Sequence, residues 1–316
     1  MKILITGGCG YKGSVLIPKL LNDGHEIINI DTQWFGNYLK ESPNLINLKI
    51  DVRDTSSIPM QGIDKVIHLA NIANDPAVEL NPTLSWEINV LAGQQLMDKA
   101  VRNGVGHFIF ASSGSVYGIK EEEKVTEDLP LVPISVYNKT KMVAERAFLS
   151  YRDKLKVHCI RPATVCGLSP RMRLDVSVNM LTFQALTNKK ITVFGGSQTR
   201  PNIHIKDMAN VYRHLLENPD IDSGCFNAGF ENISILEIAE LVKKHIDAEI
   251  IVTESNDPRS YRQDSSKLLN TGFKKKYSVE NAITEIKDSF LKGDLKNKEK
   301  FYTVKWMKKL NLDQKI

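Results

Sequence analysis

Along the first half of the chain, short apolar runs alternate with longer segments of helical hydrophobic pattern. The runs are KILIT (2 to 6), EIINI (26 to 30), INLKI (46 to 50), KVIHLA (65 to 70), HFIFAS (107 to 112) and KVHCIR (156 to 161). They are short and apolar on both faces, as strands buried in a parallel sheet are. Helical patterns fall between them at about 12 to 23, 83 to 103 and 135 to 151, the spacing of right-handed crossover units. The pattern predicts a doubly wound parallel α/β sheet. After about residue 170 the rhythm weakens into Pro- and Arg-containing loops, a helix near 177 to 188, a strand ITVF and a helix near 207 to 217. These read as inserts that cap the sheet.

Length divides the chain further. At 316 residues it exceeds the usual span of one domain. Residues 1–170, which carry the glycine turn GGCGYKG directly after the first strand, are expected to form a dinucleotide-binding domain, with 200–230 returning to it. Residues 171–199 and 231–290 then form a smaller substrate-binding α/β region, and 291–316 a charged tail, solvated and helical. No segment approaches the run of about 20 apolar residues that a membrane span needs. The start, MKILITGG, enters a strand without the basic, apolar and small-residue segments of a secretory signal, so a cytoplasmic address is expected. Cys9, Cys159, Cys166 and Cys225 form no Cys-x-x-Cys pair, which points to reduced thiols rather than zinc or a disulfide framework. The net charge of +5 comes from dispersed lysines that are densest near the carboxyl end. That is the pattern of a solvated surface rather than of a nucleic-acid groove.

Candidate chemistry begins directly after the first strand, where TGGCGYKG spaces Gly7, Gly10 and Gly13 as G-x-x-G-x-x-G around Tyr11 and Lys12. Glycines at a tight turn, at a close backbone approach and at a helix–strand contact leave amides at a helix N-terminus free for a pyrophosphate. Asp31 ends the second strand, where a carboxylate can accept bonds from an adenosine ribose diol and repel a 2′-phosphate. No Arg or Lys follows in Thr32-Gln33-Trp34-Phe35, so NAD is expected over NADP. Asp51 and Val52 end the third strand, and Leu69, Ala70 and Asn71 the fourth. They are either further ribose- and base-side contacts or ordinary strand-end turns.

The fifth strand ends in Ser112-Ser113, and VYNKTK puts Tyr137 and Lys141 one helical turn apart on one face. Alone, the pair is a commonplace of exposed helices. Beside a dinucleotide site, a phenol next to a lysine ammonium has a lowered pKa and can exchange a proton with an alcohol.

Together the glycine pattern, Asp31, SSGSVYG, YNKTK and RPATVCG resemble the extended short-chain dehydrogenase/reductase family in its nucleotide-sugar epimerase and dehydratase branch, and the likeness continues through FGGSQTRPNIHIKD to DPRSYRQDSSK. The resemblance implies a Rossmann-type sheet, NAD as cofactor and a nucleotide-diphosphate sugar as substrate. It implies Tyr137 as catalytic acid/base, Lys141 on the nicotinamide ribose and Ser113 assisting at the sugar hydroxyl. Ser112 and the segment from Pro162 to Val165 would complete the nicotinamide pocket. Arg200, in what reads as a loop, would clamp the diphosphate, with Arg259 and Asn179 as further substrate contacts. His204 and Asp207 fit the pattern as structural residues. The runs ANDP, SWEINV and CGLSPRMRLD are similar to those of bacterial surface-polysaccharide members, GDP-manno-heptose 4-dehydrogenases among them. Where 4,6-dehydratases carry an Asp-Glu pair, this chain has Gly114-Ser115, which disfavours dehydration. Thr164 stands where many members have Asn, and Asn71 where a second Ala is usual. The implied chemistry is oxidation at carbon 4 of the sugar, by a 4-epimerase or a 4-dehydrogenase. A noncatalytic dinucleotide sensor on the same fold would lack Tyr137 or Lys141. The family habit also implies a homodimer, or a higher homo-oligomer, through the helices at 83 to 103 and 135 to 151.

Overall fold

The computed structural model describes residues 1–254 and 260–313. Its centre is a seven-stranded parallel sheet of β1 (Lys2–Thr6), β2 (Glu26–Ile30), β3 (Leu45–Leu48), β4 (Lys65–His68), β5 (His107–Ala111), β6 (Lys156–Pro162) and, from far along the chain, β10 (Gly224–Ala228). The spatial order is β10-β6-β5-β4-β1-β2-β3. Chain direction across the sheet reverses between β1 and β4, which makes the crevice above their carboxyl ends the expected ligand site. All six predicted strands form. The seventh, GCFNA, is not legible in the sequence because its Gly and Asn give no β-branched run, but its partner β6 holds it in register, Cys225 opposite Cys159.

Alternation along each strand feeds two core layers. Ile3 and Ile5 meet Leu16, Ile17 and Leu20 of the helix Gly13–Asn22 and Met208, Val211 and Leu215 of the helix Ile205–Glu217. Leu4, Val66, Phe108 and Phe110 face the other way, onto Leu96, Met97, Ala144 and Phe148. Both sides of the sheet are therefore apolar, which is why its strands read as continuous hydrophobic runs.

Beyond β6 the chain forms β7 (Thr164–Cys166), β8 (Lys190–Phe194), β9 (Thr199–His204), β11 (Glu231–Ser234) and β12 (Glu249–Thr253). Strands β7, β9 and β11 make a three-stranded sheet, and β8 pairs with β12. The helices Ser177–Asn188, Ile235–His245 and Val279–Leu291 surround a separate apolar cluster containing Val178, Leu181, Ile191, Val193, Ile238, Val242 and Ile283. Among the described residues no helix is long and apolar enough to cross a membrane.

Three expectations are corrected. The segment read as one helix over 83 to 103 is helical throughout, yet a π-turn, Glu87–Ala92, separates Pro82–Trp86 from Gly93–Arg102. Arg200 lies on β9, paired with Ile233 of β11, rather than in a loop. The carboxyl segment is not a solvated tail. Phe301 and Met307 are buried, the Leu174 N–H donates to the Phe301 carbonyl at 2.9 Å, and Trp306 Nε1 donates to the Trp34 carbonyl at 2.6 Å. Its lysines face outward, and the apolar residues between them dock.

Candidate active site

The crevice at the β1/β4 reversal opens into a cavity of about 580 Å³. Gly7 leaves β1 with φ +73°, and a Cβ there would stand 2.6 Å from the Ala70 nitrogen on the neighbouring strand end. No side chain fits, so the turn needs glycine. Gly13 opens the helix against Gly8, where an added Cβ would come within 2.4 Å of the Gly8 Cα. Gly8 itself, missed in the sequence pattern, is packed as tightly against Asn29. Gly10 faces the cavity, its nearest such contact being the Gly7 carbonyl at 3.1 Å. The helix Gly13–Asn22 begins without a side-chain cap and without an acidic residue in its first turn, so its amino-terminal positive charge is left for an anion.

At the end of β2, the Asp31 carboxylate accepts from the Cys9 N–H (2.9 Å) and the Gln33 N–H (2.7 Å). Burial raises its pKa against the pull of those two bonds. Asp51 also lines the cavity, and its carboxylate is paired with Arg53 at 2.9 Å. Val52, Leu69, Ala70, Asn71, Pro162 and Val165 all lie in the wall, with Tyr11 and Lys12. Asn71 is turned back on its own strand end, donating to the Leu69 carbonyl at 2.7 Å. A glycine turn that excludes side chains, an uncapped helix end and an acid at the next strand end together fit a dinucleotide.

Across the crevice, the helix Val136–Leu149 begins at Ser135, whose hydroxyl accepts from the Asn138 N–H at 3.1 Å and also bonds Asp75. Tyr137 is half-buried at the cavity wall with Ser113 and Ser115, whose hydroxyls are 2.8 Å apart. Lys141 is buried, and its Nζ donates to the Ala111 carbonyl at 2.8 Å, 4.8 Å from the Phe110 ring centre. Here the electrostatic expectation needs correction. Burial pushes the Tyr137 phenol up to about 12, opposed by a hydrogen bond with Ser113, while Asp75 raises it further and Arg173 lowers it. Lys141 is itself held well below its ordinary value, by burial and by Lys12. In this cavity desolvation outweighs the charge effect read from the Tyr-x-x-x-Lys spacing.

Ser112 lines the cavity, yet its hydroxyl is committed to Glu145 Oε2 at 2.8 Å. Glu145 takes a two-pronged bond from Arg161, at 2.6 and 3.0 Å, and Arg161 donates onward to the Tyr117 hydroxyl at 2.6 Å. This buried network fixes β5, β6 and the Tyr137 helix to one another.

Arg200 of β9 also lines the cavity, with Tyr261 and Ile235. Asn179 does not. It is fully buried, accepting from the Gly167 N–H at 2.9 Å and donating to the Tyr11 hydroxyl (3.0 Å) and the Arg173 carbonyl (2.8 Å). It therefore supports the wall from behind, its amide committed to protein partners. Arg259 lies outside the described residues. His204 and Asp207 are buried, Asp207 accepting the Lys276 and Tyr277 N–H groups at 2.9 Å each. Sequence reasoning missed Trp34, Phe35, Arg171, Arg173, Asp175, Thr303 and Met307, all in the wall. No spacing rule marks them, because they arrive on loops and on a segment remote in sequence.

The sheet reversal, the glycine turn and the crevice define a dinucleotide-binding enzyme of the extended short-chain dehydrogenase/reductase type. The model of the NAD dependent epimerase/dehydratase family matches residues 3–229, and the chain belongs to that family. It is 28% identical over 315 residues to a UDP-glucose 4-epimerase of Lactobacillus helveticus, covering 90% of this chain and 95% of the relative. It is 32% identical over 266 residues to the uncharacterized UDP-glucose epimerase YtcB of Bacillus subtilis, covering 77% and 81%. Among solved structures, the UDP-glucuronic acid 4-epimerase of Bacillus cereus, in complex with UDP-glucuronic acid and NAD, superposes with a TM-score of 0.80 at 26% identity, over 92% of this chain and 99% of that one. MoeE5 in complex with UDP-glucuronic acid and NAD gives 0.82 at 25%, over 92% and 100%. The enzyme is accordingly an NAD-dependent member of the epimerase/dehydratase family.

Proposed function

We propose that this enzyme oxidises carbon 4 of a nucleotide-diphosphate sugar, with Tyr137 as the proton-transfer group, in the making of surface-polysaccharide sugars. The carrying observation is the convergence on one cavity of the Tyr137 phenol with Ser113 and Ser115, the glycine turn and Arg200. Bound NAD⁺ supplies the two-electron acceptor. The residues manage the proton. Ser113 favours the ionised phenol, so Tyr137 can take the proton of the sugar hydroxyl as carbon 4 is oxidised and return it on reduction. Lys141, anchored to the Ala111 carbonyl, is suited to hold the nicotinamide ribose. Arg200 is suited to a diphosphate by its planar, always-charged guanidinium.

Gly114 weighs against a 4,6-dehydratase. A Cβ there would lie 3.1 Å from both Gln263 Nε2 and the Pro162 carbonyl, leaving little room for the acid that elimination requires at that position. The names of the relatives make UDP-glucose and UDP-glucuronic acid the first substrates to try, ahead of GDP-sugars. Purified protein is incubated with UDP-, GDP-, dTDP- and CDP-sugars, with and without added NAD⁺, while nicotinamide absorbance and the sugar proton NMR spectrum are followed. A 4-epimer without accumulated NADH makes it an epimerase, and a 4-keto sugar matched by NADH a dehydrogenase. No change at carbon 4 of any of these sugars overturns the reading.

A further inference from the structure

The loop after β7 lies against the first turn of the helix Gly13–Asn22. The Ser169 hydroxyl is 2.9 Å from that of Ser14 and donates to the Tyr11 carbonyl at 2.9 Å, and the Tyr11 hydroxyl donates to the Gly167 carbonyl at 2.7 Å. The Arg171 N–H approaches Ser14 Oγ at 3.4 Å. These bonds seat the Arg171 backbone against the first turn of that helix, and its side chain lines the same cavity as the glycine turn. Arg171 is only 3% exposed, and its Cζ sits 4.1 Å from the centre of the Phe35 ring. Its Nε has no hydrogen-bond partner, and Nη1 makes a long bond of 3.4 Å to the Met172 carbonyl.

The nearby carboxylates, Asp175 and Asp31, attract Arg171 through space but make their hydrogen bonds to other groups. Asp175 binds Arg173 Nε at 2.8 Å and the Thr303 N–H at 2.8 Å, and Asp31 holds two backbone amides. Lys12 and Arg173 add two more cations to the same wall. Burial and Arg173, opposed by Asp175, lower the Arg171 pKa to about 10, so it remains charged at neutral pH. A buried cation with no carboxylate bonded to it and an idle donor is under-compensated until an anion joins it.

We propose that Arg171 binds the diphosphate of the dinucleotide, closing on it opposite the glycine turn, with Arg173 and Lys12 supplying positive potential around it. The nucleotide sugar carries the same chemical group, but the Arg171 N–H approaches Ser14, in the helix that follows the glycine turn, and its guanidinium lies over Phe35, in the loop after Asp31, both on the dinucleotide side. The inference rests on the family's use of NAD. It is independent of the sugar and of the carbon oxidised.

Three readouts test it in the full-length protein: NAD⁺ affinity by titration calorimetry, UDP affinity by the same method, and the shift in melting temperature caused by inorganic pyrophosphate. Arg171→Gln is expected to weaken NAD⁺ binding about ten- to a hundred-fold, the loss of a charge-assisted bond. UDP binding should be unchanged, and Arg171→Lys should recover part of the loss. Wild-type NAD⁺ affinity in Arg171→Gln overturns the proposal, and so does weakened UDP binding with NAD⁺ binding intact. Should Arg171→Gln fail to fold, the wild-type protein decides. Stabilisation by pyrophosphate that disappears once NAD⁺ fills the site supports the clamp, and stabilisation that persists unchanged overturns it.

Discussion

Tyr137 shows how far a residue's chemistry depends on what surrounds it. Its spacing from Lys141 marks it in the sequence, but the direction of its pKa shift follows from burial, Ser113, Asp75 and Arg173, which only the folded chain brings together. With the free phenol pushed up to about 12, the oxidative direction should speed up as pH rises through neutrality. Replacing Tyr137 with Phe should lower turnover by about 10²- to 10⁴-fold. Ser113→Ala removes a bond that favours the phenolate, so the ascending limb of the pH–kcat/KM profile should move to higher pH. A limb that stays put, or full turnover in Tyr137→Phe, would remove the phenol from its role. Of the other site residues, the glycines, Asp31, Ser113 and Lys141 are legible because motif and spacing mark them. Arg171 and Arg173 are not, since nothing in SPRMRLD separates buried arginines from solvated ones.

Between the residue and the whole lie the elements, whose bounds follow from periodicity but whose internal geometry does not. The π-turn Glu87–Ala92 is an example. Asn89 within it accepts from the Ile72 N–H at 2.8 Å and donates to the Ile72 carbonyl at 3.1 Å and to Thr140 at 3.2 Å. It thereby ties the strand end that lines the cavity to the Tyr137 helix. Hydrophobic period alone carries no trace of this, and π-turns recur where a helix must present such a side chain. The Glu145–Arg161 pair works at the same scale, joining a helix to β6, with both side chains almost wholly buried. Glu145→Ala leaves the guanidinium uncompensated and should destabilise the fold by about 3–5 kcal/mol in urea denaturation. A loss below about 1 kcal/mol would mean that solvent reaches the pair.

At the scale of the whole molecule, three buried histidines link stability to pH. Burial, with Lys141, lowers His68 to about 3; burial, with His158, lowers His107 to about 2; and burial lowers His158 to about 4. Unfolded, each binds a proton near its ordinary 6.5. Between those values the unfolded chain holds more protons, so their contribution is complete above about 6.5 and is lost as pH falls. The urea midpoint should drop steadily from neutral pH to about pH 5, each fully titrating histidine contributing about 1.4 kcal/mol per unit. A flat midpoint would show that these imidazoles take up protons as readily in the fold as in the unfolded chain. The docked carboxyl segment is the other whole-molecule feature. A chain ending at residue 298 loses the buried Phe301 and Met307 and the cavity wall at Thr303 and Met307. It should be destabilised by at least about 3 kcal/mol and retain less NAD, read from melting temperature and from cofactor released on denaturation. The sequence by itself determined the alternating strands and helices, the glycine turn with its acid, and the Tyr137–Lys141 pair, because these are set by local period and short spacing. Only the tertiary structure decided the seventh strand, the burial that governs the phenol and the lysine, the support role of Asn179, and the closing of the cavity by Arg171 and by a segment that reads as a solvated tail. Those depend on contacts between residues far apart in the chain, where desolvation and packing outweigh local preference.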